Sequence, residues 1–88
     1  MIYNIEIHPK AEKDLAALPQ KANRQIDKRI MSLALNPRPS KAAPLKGKTN
    51  KNLWRLRSGD YRIIYEVQDK EEVVRVMRVR HRREAYQM

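Results

Sequence analysis

The sequence predicts an α+β fold in the order β-α-α-β-β-β: an N-terminal strand, a two-helix hairpin, then a three-stranded antiparallel meander, with the helices on one sheet face. Three observations lead there. Apolar residues alternate with polar ones along residues 2–7 and in three later runs, the period of a strand. Between residues 11 and 34 they recur instead at helical spacing. Only short turns separate the three later runs, as in a meander. At 88 residues the chain fits one domain, residues 1–88.

The opening strand, "IYNIEI", places Tyr3, Ile5 and Ile7 on its better-buried face. In "HPKAEKDLAAL", Pro9 suits a first helical turn, and Ala11, Leu15 and Leu18 form a helical stripe. His8, just ahead of Pro9, is expected to cap locally. Pro19 begins a second helix, whose stripe is Ala22, Ile26, Ile30, Leu33 and Ala34. It should end by Asn36-Pro37, since a residue before proline avoids the helical region. Residues 36–52, "NPRPSKAAPLKGKTNKN", read as a loop, and loops this long in small domains are often functional. The meander follows as "NLWRLR", "YRIIYEV" and "VVRVMRV", turning at Ser58-Gly59-Asp60 and Asp69-Lys70-Glu71. "HRREAYQM" remains as a tail.

Twenty Lys and Arg against ten Asp and Glu give a net charge of +10. A field of that sign favours nucleic acid, an anionic surface or an acidic protein. The absence of cysteine excludes disulfides and thiolate metal sites. No apolar run suggests a signal peptide or a membrane span, so a cytoplasmic protein with no membrane partner is expected.

Alternation sorts the basic residues. Arg55 and Arg57 share a face with Leu53, while Trp54 and Leu56 take the other. Arg62 shares its face with Ile64 and Glu66, opposite Tyr61, Ile63, Tyr65 and Val67. If the Trp54 and Tyr61 sets lie under the helices, Arg55, Arg57 and Arg62 emerge together on the open face. A solvated basic face and a phosphate-binding floor both satisfy this pattern. Trp54 could pack or stack, Glu66 could be a base or an ion-pair partner, and His81 could be structural or carry a proton.

The opening strand, "A.KDL..LP", the "L.G" of Leu45-Lys46-Gly47, "WRLRSGDYRIIYEV" and "VRVMRVRHRREAY" together resemble the RelE toxins of the RelE/ParE superfamily of toxin–antitoxin pairs. The "R.G.YRI.Y.V" core is common to the superfamily, and the ending "HRREAY" leans to RelE. The resemblance implies an endoribonuclease that enters the ribosomal A site. There it cuts mRNA by attack of a ribose 2′-hydroxyl on the adjacent phosphate, without metal or cofactor. It also implies a cognate acidic antitoxin, and a toxin–antitoxin complex that binds operator DNA.

Carried over residue by residue, the resemblance makes Arg62 a phosphate and transition-state ligand. Arg82 becomes a stabiliser or leaving-group acid, and Tyr86 a base-stacking group or proton acceptor. The family's basic pair on the first meander strand falls on Leu53 and Arg55. Leu53 carries no charge; Arg55 is expected to be catalytic together with Arg62, Arg82 and Tyr86, although it is too basic to serve readily as a base. Arg57, His81 and Arg83 are expected to contact RNA, with Lys46, Lys48 and Lys51 as a rim. Two other functions fit the same residues: a ParE-like gyrase inhibitor, and a basic nucleic-acid-binding module without catalysis.

Overall fold

The computed structural model describes residues 2–45 and 52–85, with the side chains of 84 and 85 excepted. Its elements are β1 (Asn4–Ile7), α1 (Pro9–Ala16), α2 (Gln20–Ser32), β2 (Ala43–Pro44), β3 (Leu53–Ser58), β4 (Tyr61–Gln68), β5 (Val73–His81) and α3 (Arg82–Ala85). The five strands form one sheet in the order β1-β5-β4-β3-β2. The α+β class and the meander stand as expected. Two details differ from the sequence reading. Ala43 and Pro44, within the stretch read as loop, pair with Arg55 and Trp54 at the edge of β3. The start of the tail winds into α3.

Local chemistry sets the helix boundaries. His8 caps α1: its Nδ1 accepts the Lys10 N–H at 3.1 Å, and Pro9 occupies the first helical position. Pro19 stands just ahead of α2, and the Asn23 side-chain amide donates to the Leu15 carbonyl at 2.8 Å. That bond ties α2 to the end of α1. The helix stops at Ser32, short of Asn36-Pro37, with Leu33 as its C-cap.

The core lies between the helix hairpin and one face of the sheet. Ala11, Ile26, Ile30 and Leu33 pack there with Leu56, Ile63, Tyr65, Val67, Val74, Val76 and Val79. Trp54 and Tyr61 lie partly buried against the same cluster, so the alternation assigned the faces of β3 and β4 correctly. β1 joins the far edge, parallel to β5, with Asn4 opposite Val73 and Ile7 opposite Val76.

One irregularity governs the other face. The β4–β5 register shifts between Ile64 and Tyr65: Ile64 faces Arg78, and Tyr65 faces Val76. Met77 is therefore the extra residue of a β-bulge. Without it, alternation from Val74 and Val76 would turn Arg78 and Arg80 into the core. With it, both join the rows of Arg55, Arg57 and Arg62.

The start of the 36–52 segment is fastened to the sheet. Arg38 forks onto Asp69, with nitrogen–oxygen distances of 3.1 and 2.7 Å, and the Tyr3 hydroxyl donates to the same carboxylate at 2.6 Å. The Arg38 guanidinium also lies 5.5 Å from the Trp54 ring centre. Beside it, the Tyr65 hydroxyl donates to the Pro37 carbonyl at 2.7 Å.

Candidate anion-binding site

The β3–β4 hairpin closes through Gly59 and Asp60, between the paired Ser58 and Tyr61. Gly59 adopts φ +60°, a backbone conformation that costs glycine little. The tight turn places Arg57 directly opposite Arg62. The chain returns at the end of β5, where the Arg82 N–H donates to the Asp60 carbonyl at 2.7 Å. That bond brings the start of α3 onto the hairpin.

Arg57, Arg62 and Arg82 thereby line one hollow of about 100 Å³, completed by Gly59, Asp60 and Tyr61. Arg62 is only 6% exposed although it lies on the face away from the helices. Arg57 and Arg82 are exposed. The Asp60 carboxylate stands 4.0 Å from the Arg82 guanidinium. Three guanidinium groups around so small a space suit an anion with several acceptor oxygens. A group already held in place, as Arg62 is by burial, needs little reorganisation to stabilise developing negative charge.

The other expected site residues fall differently. Arg55 sits on the predicted face, opposite Ile64, but outside this hollow. His81 stacks edge-on against Tyr61, at 5.3 Å between ring centres and 89° between planes. Its Nδ1 accepts the Arg83 N–H at 3.3 Å, capping α3 much as His8 caps α1. It lines a second hollow with Asp14, Ala17, Leu18 and Val79, so its visible role is to set the course of the chain that carries Arg82. Arg83 is exposed on α3. Glu66 lies 4.0 Å from Arg75 and accepts from Gln68, an ion-pairing role. Tyr86, Lys46, Lys48 and Lys51 lie outside the described residues. Among the described residues, no group of three or more His, Cys, Asp or Glu is placed to hold a metal ion. No described helix is long and apolar enough to cross a membrane.

Sequence reasoning did not single out Arg80, and it considered Asp14 only to disfavour a catalytic pairing with Glu12, two residues away on the same helix. Arg80 is the direct partner of Arg62 on β5. Asp14, on α1, bonds the Arg78 guanidinium at 2.9 and 3.3 Å and accepts the Val79 N–H at 2.9 Å. Like-signed residues around the hydrophobic positions of β5 were the available signal, but the bulge at Met77 hid which face they take.

Comparison with known proteins places the chain among toxins. A family model described as the ParE toxin of the type II toxin–antitoxin system, parDE, matches residues 5–86. RelE1 of Methanocaldococcus jannaschii, a protein named as a toxin, is 30% identical over 87 residues, covering 98% of this chain and 97% of the relative. The archaeal RelE–RelB complex of Pyrococcus horikoshii contains a chain that superposes with a TM-score of 0.81 at 32% identity, covering 93% of this chain and 97% of that one. The free E. coli toxin RelE, in a mutant with two arginines replaced by alanine, gives a TM-score of 0.75 at 27% identity, covering 99% and 93%.

Proposed function

The chain belongs to the RelE/ParE family of type II toxin–antitoxin toxins, and from that membership we propose that it is a ribosome-dependent endoribonuclease acting on mRNA in the cytoplasm. The observation that carries this reading is the hollow walled by Arg57, Arg62 and Arg82. It sits on the β3–β4 hairpin, and the family resemblance assigns Arg62 and Arg82 to cleavage and Arg57 to RNA contact.

In the proposed reaction the ribose 2′-hydroxyl attacks the adjacent phosphorus. The O2′–P bond forms and the P–O5′ bond breaks, leaving a 2′,3′-cyclic phosphate and a free 5′-hydroxyl. The attacking hydroxyl loses a proton, and the leaving oxygen gains one. Negative charge gathers on the phosphorane oxygens between these events. Arg62, with Arg57 and Arg82, supplies fixed positive charge to them. Arg82, more exposed, follows the leaving oxygen. The family resemblance gives the proton-accepting or base-stacking role to Tyr86. Arg55, on the same open face, is proposed to take part in cleavage as a further fixed positive charge, and Arg83, His81, Lys46, Lys48 and Lys51 to hold the flanking RNA. The ribosome supplies the orientation of the substrate that so small a protein lacks.

A cognate acidic antitoxin is the proposed inhibitor. The Pyrococcus horikoshii chain was solved with RelB, and a net charge of +10 favours an acidic partner. The toxin–antitoxin complex is proposed to bind operator DNA.

The matching family model carries the ParE name, which favours a second reading, a DNA gyrase inhibitor. One experiment separates the two. A purified translation system with a defined mRNA is treated with wild-type protein and with Arg62→Ala, Arg82→Ala and Tyr86→Phe, and 5′ ends are mapped. Ribosome-dependent cuts at A-site codons are expected, with Arg62→Ala slowed by about 10²–10³. No cuts from folded wild-type protein, together with inhibited DNA supercoiling, would favour the gyrase reading.

A further inference from the structure

The hollow that collects three arginines also contains a carboxylate. Among the described residues that line it, Arg57, Arg62 and Arg82 bring side chains that only donate hydrogen bonds, and Asp60 brings one that, when ionised, only accepts. A phosphodiester offers acceptors alone. Toward phosphate, Asp60 therefore has the wrong sign: it repels the anion that the arginines attract.

Neither the fold nor Arg82 accounts for that carboxylate. The turn is closed by Gly59, at φ +60°, and by the Arg82 N–H on the Asp60 carbonyl at 2.7 Å. Both features belong to the backbone and would survive another side chain at position 60. The carboxylate itself stands 4.0 Å from the Arg82 guanidinium, beyond hydrogen-bond length. The Asp60 and Arg82 side chains are 67% and 62% exposed, and an ion pair so open to water contributes little. What remains is an exposed acceptor beside a phosphate seat. A ligand that carries a donor next to its phosphate satisfies such a group. In RNA that donor is the ribose 2′-hydroxyl, on the carbon neighbouring the one that bears the phosphate. DNA lacks it.

We propose that Asp60 is a specificity-determining residue: its carboxylate accepts a hydrogen bond from the 2′-hydroxyl beside the phosphate held in the hollow, and so selects RNA over DNA. The hollow encloses only about 100 Å³, so a phosphate in it brings the neighbouring ribose up to the Asp60 wall. The bond also turns the hydroxyl proton toward the carboxylate and leaves an oxygen lone pair free to face phosphorus. It is made in the bound complex, before any proton moves. The proposal rests on the reading that the hollow seats a phosphate of RNA, and it names the feature of that chain which the site recognises.

The test measures binding of ligands that cannot be cut. The probes are dinucleosides joined by a 5′-methylene phosphonate, which keeps the negative charge and puts carbon in place of the leaving oxygen. The sugar before the linkage carries a hydroxyl, a hydrogen or a methoxy group at its 2′ position. In NMR shift titrations, wild-type protein should bind the hydroxyl probe about tenfold tighter than the other two, the scale of one charge-assisted hydrogen bond. Asp60→Ala should bind the three alike, and the hydrogen probe tighter than wild type does, because the repelling charge is gone. Asp60→Asn, which keeps a neutral acceptor oxygen, should retain a smaller preference for the hydroxyl. Arg82→Gln should weaken all three and keep their order.

Equal binding of the three probes by wild-type protein, or no binding at millimolar concentration, would overturn the proposal. So would an undiminished preference in Asp60→Ala, or in Asp60→Asn if the first variant does not fold. Equal weakening of every probe by these variants would overturn it too, and would make Asp60 a positioning residue for Arg82. If wild-type protein cuts no mRNA but prefers the hydroxyl probe, the ribonuclease reading fails and the role of Asp60 stands. If it cuts mRNA without that preference, only the role of Asp60 fails.

Discussion

The Asp14 carboxylate accepts the Val79 backbone N–H at 2.9 Å, so a side chain of α1 occupies the edge of β5 beyond the point where β1 stops. The same carboxylate holds Arg78. Asp14→Ala should therefore orphan a backbone donor and a guanidinium together and cost about 2–3 kcal/mol in denaturant unfolding. Burial pushes the Asp14 pKa up. The Arg78 hydrogen bond, the Val79 N–H and the charges of Arg78 and Arg80 outweigh it, leaving the pKa below the usual 3.8. A depressed pKa means that this stabilisation is fully present above about pH 4 and drains away as pH falls through the folded-state value. The Tm gap between wild type and Asp14→Asn should narrow over that acid range. A gap that widens on acidification would contradict the assignment.

Asp69 is expected to titrate abnormally low although it is exposed. The Arg38 hydrogen bonds, then that of Tyr3, hold its pKa down to about 2 from the usual 3.8. Carboxyl-carbon NMR should find it still ionised at pH 3. Arg38→Gln should return it most of the way to the ordinary value, and Tyr3→Phe less. The sign follows as for Asp14: its support of the native state is present above the unfolded value and is lost as pH falls toward 2.

Gly59→Ala isolates backbone conformation from crowding. A Cβ there would meet no atom within 4 Å, yet φ is +60°. The expected cost is about 1–2 kcal/mol, the penalty of a left-handed backbone for an ordinary residue. Gly59→Asn should cost less. Because Gly59 lines the arginine hollow, the alanine variant should also weaken phosphate binding while the rest of the sheet keeps its chemical shifts.

Tyr65 is fully buried, and burial drives its pKa up to about 12. Ultraviolet titration should find one tyrosine that resists ionisation until the protein unfolds in alkali. Tyr65→Phe leaves the Pro37 carbonyl without this donor and should lower stability by about 1–2 kcal/mol.

The faces of β3 and β4 were legible because their alternation runs unbroken from Trp54 to Leu56 and from Tyr61 to Val67. Arg57 and Arg62 were placed by that parity alone. Arg80 was not, because Met77 adds one residue and reverses the parity of all that follows in β5. The position of Arg82 depends on a single long-range bond to Asp60, which no local pattern encodes. The Arg38–Asp69 clamp likewise joins residues 31 positions apart, inside a stretch whose prolines and lysines read only as loop. Tyr3, Ile5 and Ile7 announced a strand, but nothing near them names β5 as its neighbour.

That neighbour has a consequence for biosynthesis. Among the described strands β1 is made before the others, and its sheet partner, Val73–His81, after them. The sheet is therefore completed only once β5 has been made, and long-range pairing of this kind is slow to form. Arg80, Arg82 and Asp14's bond to Val79 all wait on the same late strand. A nascent chain held short of β5 has Arg57 and Arg62 but neither Arg80 nor Arg82, and no partner for β1. The hollow walled by Arg57, Arg62 and Arg82 thus forms only after β5 has been made, so a nascent chain that stops short of β5 lacks the site through which this protein is proposed to attack translating ribosomes.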